Sequence, residues 1–191
     1  VNATTITLGS STSSKNATLA TSANIVITGS IVASGNSSAP GTLDVNEDLV
    51  ITGTVGTSGA AIGDISIIAD KTLTLKGTTY AANITLESAT QSTGANSTLA
   101  FNGTADIAYI VSGTIDGMND GDGLIDINTG NVTFESKIGS GTQIAAINIA
   151  SASEMATDQN ISANETIVVL GTLDINGAVT IKVDDSSSTG Y

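Results

Sequence analysis

Cysteine, histidine, arginine and tryptophan are absent from this 191-residue chain, and proline occurs once. Without His or Cys there is no zinc site of the usual kind, no imidazole or thiolate haem ligation, and no cysteine or Ser–His nucleophile. All five basic residues are lysines and face 18 acids, for a formal charge of −13. That field, with no guanidinium to form bidentate phosphate contacts, excludes nucleic acid as a partner, because binding it releases counterions through clustered cations. No run of about 18 apolar residues occurs, so no transmembrane segment is expected. Aromatic residues make up only 3% of the chain.

What is present is apolar and small. Hydrophobic residues reach 40% while charged residues stay at 12%, a balance that supports a packed core rather than disorder. Ile, Val, Leu and Ala dominate the apolar set, mixed with 52 Ser and Thr and 21 Gly. β-Branched residues fit a pleated strand, and Gly and Asn accept the backbone geometry of tight turns. This composition predicts an all-β fold.

Two kinds of repetition run through it. Ile25-Val26-Ile27-Thr28-Gly29 recurs 24 residues on as Leu49-Val50-Ile51-Thr52-Gly53. Leu73-Thr74-Leu75-Lys76-Gly77 and, with an offset of 26, Leu99-Ala100-Phe101-Asn102-Gly103 keep the same apolar–x–apolar–x–Gly frame. Separately, the segment from Gly41 (GTLDVNEDLVIT) aligns without gaps to that from Gly171 (GTLDINGAVTIK), and LIDINTGNVTFESKIG from Leu124 fits with one inserted residue. A unit of about 24 residues, holding two or three short strands and their turns, reads as one coil of a β-solenoid. Coils stacked about 4.8 Å apart bring like residues into ladders, so positions 27, 51 and 75 are expected to be neighbours. The competing architecture is an antiparallel β-sandwich or jelly roll, which does not require a 24-residue self-match. The expected organisation is an N-terminal strand and assembly segment (1–16), a solenoid (17–183) with insertions near 87–97, 112–123 and 151–165, and a Ser-rich tail (184–191).

The run from 113 to 139, with Asp/Gly turns, Leu124-Ile125-Asp126-Ile127, Val132-Thr133-Phe134 and Lys137-Ile138-Gly139, continues into the apolar stretch 144–149. It resembles repeats in the passenger regions of bacterial autotransporter adhesins, including the rickettsial outer-membrane protein B type. The resemblance is close over a third of the chain and loose elsewhere. It implies a secreted, surface-displayed solenoid that acts in adhesion, with cell-surface glycans among the partners, or as a coat. Nothing in these residues reads as a membrane barrel, so a free-standing filament or surface subunit is an equal expectation.

Candidate sites are few. In 118–129, Asp120, Asp122, Gly123, Ile125 and Asp126 fall at positions 3, 5, 6, 8 and 9 of an EF-hand-like loop, but Met118 and Thr129 stand where the first acid and the bidentate acid belong. The segment reads first as a Gly/Asp turn, and a calcium site on Asp116, Asp120 and Asp122 is the alternative; no other cofactor is expected. Nine Asn-x-Ser/Thr sequons occur, at Asn2, Asn16, Asn36, Asn83, Asn96, Asn102, Asn131, Asn160 and Asn164. That is about twice the number chance gives, and each is a glycan acceptor if the protein passes through a glycosylating secretory route. Acid pairs such as Asp120/Asp122 and Asp184/Asp185 lack the cationic and aromatic contacts of a glycan-cleaving cleft, so no enzyme activity is expected. A rank of Thr for ice binding begins with Thr28 and Thr52 and breaks at Lys76 and Asn102. Ala3, Thr5, Ile6 and Leu8 lie in an alternating segment suited to pairing with a neighbouring subunit. Together these features predict a self-assembling structural protein, a homopolymer at the cell surface.

Overall fold

The computed structural model describes residues 2–9, 16–35, 40–88, 96–104 and 108–184. Sixteen strands follow one another with no helix among the described residues. They are β1 (Asn2–Leu8), β2 (Thr18–Ala20), β3 (Ile25–Ala33), β4 (Thr42–Val45), β5 (Leu49–Ile51) and β6 (Ile62–Ile67). Next come β7 (Thr72–Leu75), β8 (Thr79–Leu86), β9 (Thr98–Asn102), β10 (Ala108–Gly117) and β11 (Asp122–Phe134). The last five are β12 (Ile144–Ile149), β13 (Ser153–Thr157), β14 (Ile161–Val169), β15 (Thr172–Ile175) and β16 (Ile181–Val183). Every ladder between them is parallel. Each strand pairs in parallel with the segment one coil onward, even where the long strands make that the next strand in sequence, as for β10–β11 and β11–β12, which is a β-solenoid and not a sandwich of antiparallel sheets.

Each coil has three sides. On the first, Ile27, Ile51, Leu75, Phe101, Ile127 and Ile149 stack, confirming the expected adjacency of positions 27, 51 and 75. On the second, Ile6, Ile31, Val55, Thr79, Val111, Phe134, Thr157 and Ile175 form the rank. On the third, Leu19, Leu43, Ile65, Ile84, Ile115, Ile138, Ile161 and Ile181 do so. Long strands such as β8, β10 and β11 turn a corner and serve two sides. The inward ranks converge on one core of Ile, Leu and Val. Phe101 and Phe134 meet edge to face inside it, ring centroids 5.6 Å apart. Each aliphatic side chain so buried stabilises the fold by roughly 1.5–3 kcal/mol.

The glycine of the repeated frame has a steric cause. Gly29, Gly53 and Gly77 stack at the corner between first and second sides, and the Gly53 N–H donates to the Gly29 carbonyl at 3.0 Å. A Cβ on Gly53 would lie 2.4 Å from that carbonyl oxygen, and one on Gly77 2.6 Å from the Gly53 oxygen. Only a residue without a side chain lets successive corners approach this closely.

The match of Leu43-Asp44-Val45-Asn46, Ile125-Asp126-Ile127-Asn128 and Leu173-Asp174-Ile175-Asn176 is not a coil repeat, since the three lie on the third, first and second sides respectively. It is a strand-and-corner unit reused at each vertex. Residues 112–117 and 153–157, placed in insertions, are regular strand in β10 and β13. The coil length varies there: Thr79 and Val111 are 32 residues apart on the second side, and Ile147 and Ile167 only 20 apart on the first, so a fixed 24-residue frame runs out of phase. Within 87–97 the described ends meet in an antiparallel Ser88–Asn96 bridge, and 89–95 lie outside the described residues. β1, in the segment 1–16, is the first described rung of the second side and is paired along one edge with β3.

Candidate functional site

The outward faces carry polar ladders rather than a cleft. Asp64 accepts from Asn83 Nδ2 at 3.0 Å, and Asn83 in turn accepts from Thr114 Oγ1 at 3.3 Å. Asp126 accepts from Asn148 Nδ2 at 2.8 Å one coil on. Two carboxylates stacked at the strand spacing would repel, and placing an amide above each acid removes that cost without a cation. At the corners Thr21 Oγ1 accepts from the Asn46 and Glu47 N–H groups at 2.8 and 2.9 Å, and Lys71 pairs with Glu47 at 2.9 Å. The Glu47 carboxylate holds the Lys71 ammonium above its ordinary pKa. On the first side, Thr28, Thr52, Lys76 and Asn102 do stand in successive coils, all exposed, with the rank of hydroxyls ending at Lys76.

The acids of the EF-hand-like segment are each engaged separately. Asp116 Oδ1 accepts from the Gly141 N–H and Asp120 Oδ1 from the Gln143 N–H, both at 2.9 Å. Asp122 is buried, its Oδ2 accepting from Asn119 N at 2.9 Å and Nδ2 at 3.0 Å. Asp126 belongs to strand β11, on the outer face. Among the described residues no three potential ligands gather around one point. Asp116 and Asp120 tie the end of β10 and the turn after it to the following coil, and Asp122 closes that turn on itself.

Several of the sequon asparagines bond to a neighbouring coil. Asn16, Asn83, Asn102 and Asn160 are exposed, and Asn96, Asn131 and Asn164 are half-buried. Asn102, Asn160 and Asn96 accept through Oδ1, from Thr129 Oγ1 (2.8 Å), Thr180 N (2.9 Å) and Gly123 N (3.1 Å). Asn2 begins β1, and Asn36 lies outside the described residues.

The two rims differ from everything between them. Of the assembly residues, Thr5 points outward and is exposed, whereas Ile6 is half-buried and Leu8 buried in the core; Ala3 lies in β1. At this end Leu19 and Ile25 are also half-buried. At the far end the pattern of the core continues and its burial does not: Val169, Ile181 and Val183 are 43%, 42% and 44% exposed, and Leu170 at the corner is 71% exposed. Among the described residues β15 and β16 pair only with the preceding coil, through β13 and β14. Gln143 Nε2 reaches this coil, donating to Asp184 at 3.0 Å. The alternation of β14–β16 made their inward faces legible in the sequence, but which coil is last was not. Two shallow grooves, of about 260 Å³ beside Pro40 and Ala60 and about 280 Å³ beside Lys137 and Lys182, bring no acid–base pair together.

Comparison with protein-family models, curated proteins and solved structures finds no match to this chain.

Proposed function

We propose that the chain is a structural subunit of an extracellular filament, sheath or cell-surface coat, joined to its neighbours through the strands at the ends of its coil. One observation carries the reading: Val169, Ile181 and Val183 occupy core positions in the last coil of the described residues yet remain more than 40% exposed. Solenoids cover such rims with polar caps or use them for assembly. A parallel strand with one open edge accepts another strand, and its apolar row gains burial when it does. The polar outer ladders keep the sides of the rod in water, which directs association to the ends. The role assigned is mechanical and needs no catalytic group, and the sequon-rich sequence suits a secreted location.

The test is electron microscopy and sedimentation of the purified chain over a concentration series. Fibres or rods whose length grows with concentration are expected. A strict monomer at every concentration would overturn the reading. The second reading is an adhesin passenger fragment that binds a cell or glycan surface, favoured by the passenger resemblance and by the exposed turn at Met118 (60%). Monomers that bind cells or glycans, with no fibres, would select it.

A further inference from the structure

Five steps in the chain join Asn or Asp to Gly, at Asn102, Asp116, Asp120, Asp122 and Asn176. Such a step is prone to self-attack, because glycine brings no Cβ to hinder the approach of its backbone nitrogen to the preceding side-chain carbonyl carbon. The coil guards four of them in one way: the glycine N–H that would supply the nucleophile donates to a neighbouring coil. Gly103 N donates to the Thr129 carbonyl at 3.1 Å, Gly117 N to that of Thr142 at 3.3 Å, and Gly121 N to that of Gln143 at 3.0 Å. Gly123 N donates to Asn96 Oδ1 at 3.1 Å. The Gly177 N–H meets no acceptor among the described residues, and Asn176 and Gly177 are both exposed. We propose that Asn176 is a site of spontaneous deamidation, converting through a succinimide to aspartate and isoaspartate while the solenoid holds the other four steps intact.

The local geometry favours the attack from both residues. Asn176 is anchored on its N-terminal side, its N–H donating to the Thr157 carbonyl at 2.9 Å. Its side-chain amide makes one long contact among the described residues, Nδ2 to Asp174 Oδ2 at 3.3 Å, which leaves Cγ open. Gly177 sits at φ +127°, and a Cβ there would find nothing within 4 Å. The peptide after Asn176 can therefore rotate toward the amide without displacing a neighbour. Asn102 has the same two-residue sequence in opposite surroundings. Thr129 Oγ1 donates to its Oδ1 at 2.8 Å, the Gly103 N–H is held by the Thr129 carbonyl, and the Tyr109 ring packs on Gly103. All three contacts must open before the Gly103 nitrogen can reach the Asn102 Cγ.

In the reaction the Gly177 nitrogen bonds to Asn176 Cγ, and its proton passes through water to the departing amide. The Cγ–Nδ2 bond breaks, ammonia leaves, and a five-membered succinimide remains. Water then opens the ring at one of its two carbonyls. Opening at Cγ gives ordinary aspartate; opening at the main-chain carbonyl leaves the chain running through Cβ and Cγ, which is isoaspartate. Water is the one co-reactant, nothing is oxidised or reduced, and no contact between copies enters the step. Either product puts a carboxylate where an amide donated to Asp174, so two like charges face each other. Isoaspartate also adds a methylene to the backbone between β15 and β16, which shifts the segment that delivers Ile181 to its register with Ile161.

Peptide mapping by mass spectrometry tests the assignment, with the folded, unglycosylated chain incubated in warm, mildly alkaline buffer beside a sample in urea. Incubation runs until both Asn–Gly steps of the urea sample have reacted. In the folded protein a mass gain of about one dalton is expected at Asn176, with fragment ions diagnostic of isoaspartate. Asn102 should react at least about tenfold more slowly, because a hydrogen-bonded N–H is available only in the locally opened fraction. In urea the two rates should converge. Deuterium exchange reads the same contrast without the chemistry: the Gly177 amide should exchange at once and the Gly103 amide should be protected. Equal rates at Asn176 and Asn102 in the folded protein would overturn the proposal, as would an Asn176 that stays intact while its counterpart in urea reacts. A preference for Asn176 that survives in urea would trace the difference to sequence rather than fold and overturn it equally.

Discussion

Ile65 and Ile181 are the same residue in the same rank of the third side, and they have opposite surroundings. Ile65 is fully buried between Leu43 and Ile84, whereas Ile181 is 42% exposed and, among the described residues, has Ile161 on one side only. In this fold, alternation decides which way a side chain points, and burial is then supplied by the coils before and after. A terminal coil thus has the sequence of a core and half of its packing. Middle coils draw their stability from both neighbours; the last coil holds to one.

The largest expected effect tests that difference directly. Ile65→Ala should cost about 2–5 kcal/mol, the range for an isoleucine removed from a close-packed core. Ile181→Ala should cost about 1 kcal/mol or less in the monomer, since much of its surface already meets water and no enclosed cavity results. Urea unfolding at a concentration below assembly measures both. Equal losses would show that the last coil is as well covered as the middle ones, and the contrast would fail. If the rim contact forms, the Ile181 loss should grow with protein concentration while the Ile65 loss should not, because mass action stabilises only the residue at the junction.

A smaller effect separates stacked corners from open loops. Gly53→Ala must displace the Gly29 backbone, whose oxygen would lie 2.4 Å from the new Cβ, and should cost about 1–3 kcal/mol. Gly59 has nothing within 4 Å of its would-be Cβ, so Gly59→Ala should stay within about 0.5 kcal/mol. The midpoint of thermal unfolding reads the two side by side. A tolerated Gly53→Ala would mean that the corners can part, and that the glycine of the repeat has some other cause.

How far the sequence could be read follows from which physical rule each feature obeys. Period-2 alternation in Leu73-Thr74-Leu75 identifies an inward face but fits a half-exposed antiparallel strand equally well. What favoured the solenoid over the sandwich was the 24-residue match of Ile25, Leu49 and Leu73, because stacking brings that separation to one strand spacing; the parallel ladders then decide it. The three-sided section was already written in the Leu/Ile-Asp-Val/Ile-Asn units at Leu43, Ile125 and Leu173, whose alignment alone did not say that they sit on different sides. A vertex needs the same strand–turn–strand chemistry wherever it occurs, so three vertices of one coil resemble each other as coils do. Residues 112–117 and 153–157 were misplaced because coil length varies, from 32 residues between Thr79 and Val111 to 18 between Thr157 and Ile175. The acids of the Gly/Asp segment could not be assigned from spacing alone: Asp116 and Asp120 turn toward Gly141 and Gln143, donors more than 20 residues away in the chain.

The smallest expected effect lies at the edge of the exposed rim, where the terminal coil is held by polar rather than apolar contacts. Lys182 pairs with Asp184, and Gln143 donates to the same carboxylate and to Ser162 Oγ at 2.8 Å. The Lys182 ammonium, and after it the Gln143 amide, hold the Asp184 carboxyl below its ordinary range. A carboxylate with a depressed folded pKa stabilises the fold fully above its unfolded value, near 3.9, and that contribution is gone once pH has fallen through the lower folded value. The group is exposed, so solvent and salt screen most of the attraction. Asp184→Asn should therefore lower the melting temperature slightly at neutral pH in low salt. The gap should close both in about 1 M salt and as pH drops below the carboxylate range. A gap that persists under acid or salt would mean that Asp184 holds the last coil through hydrogen-bond geometry that asparagine cannot reproduce, rather than through charge. The terminal coil would then resemble the middle coils in being fixed by shape.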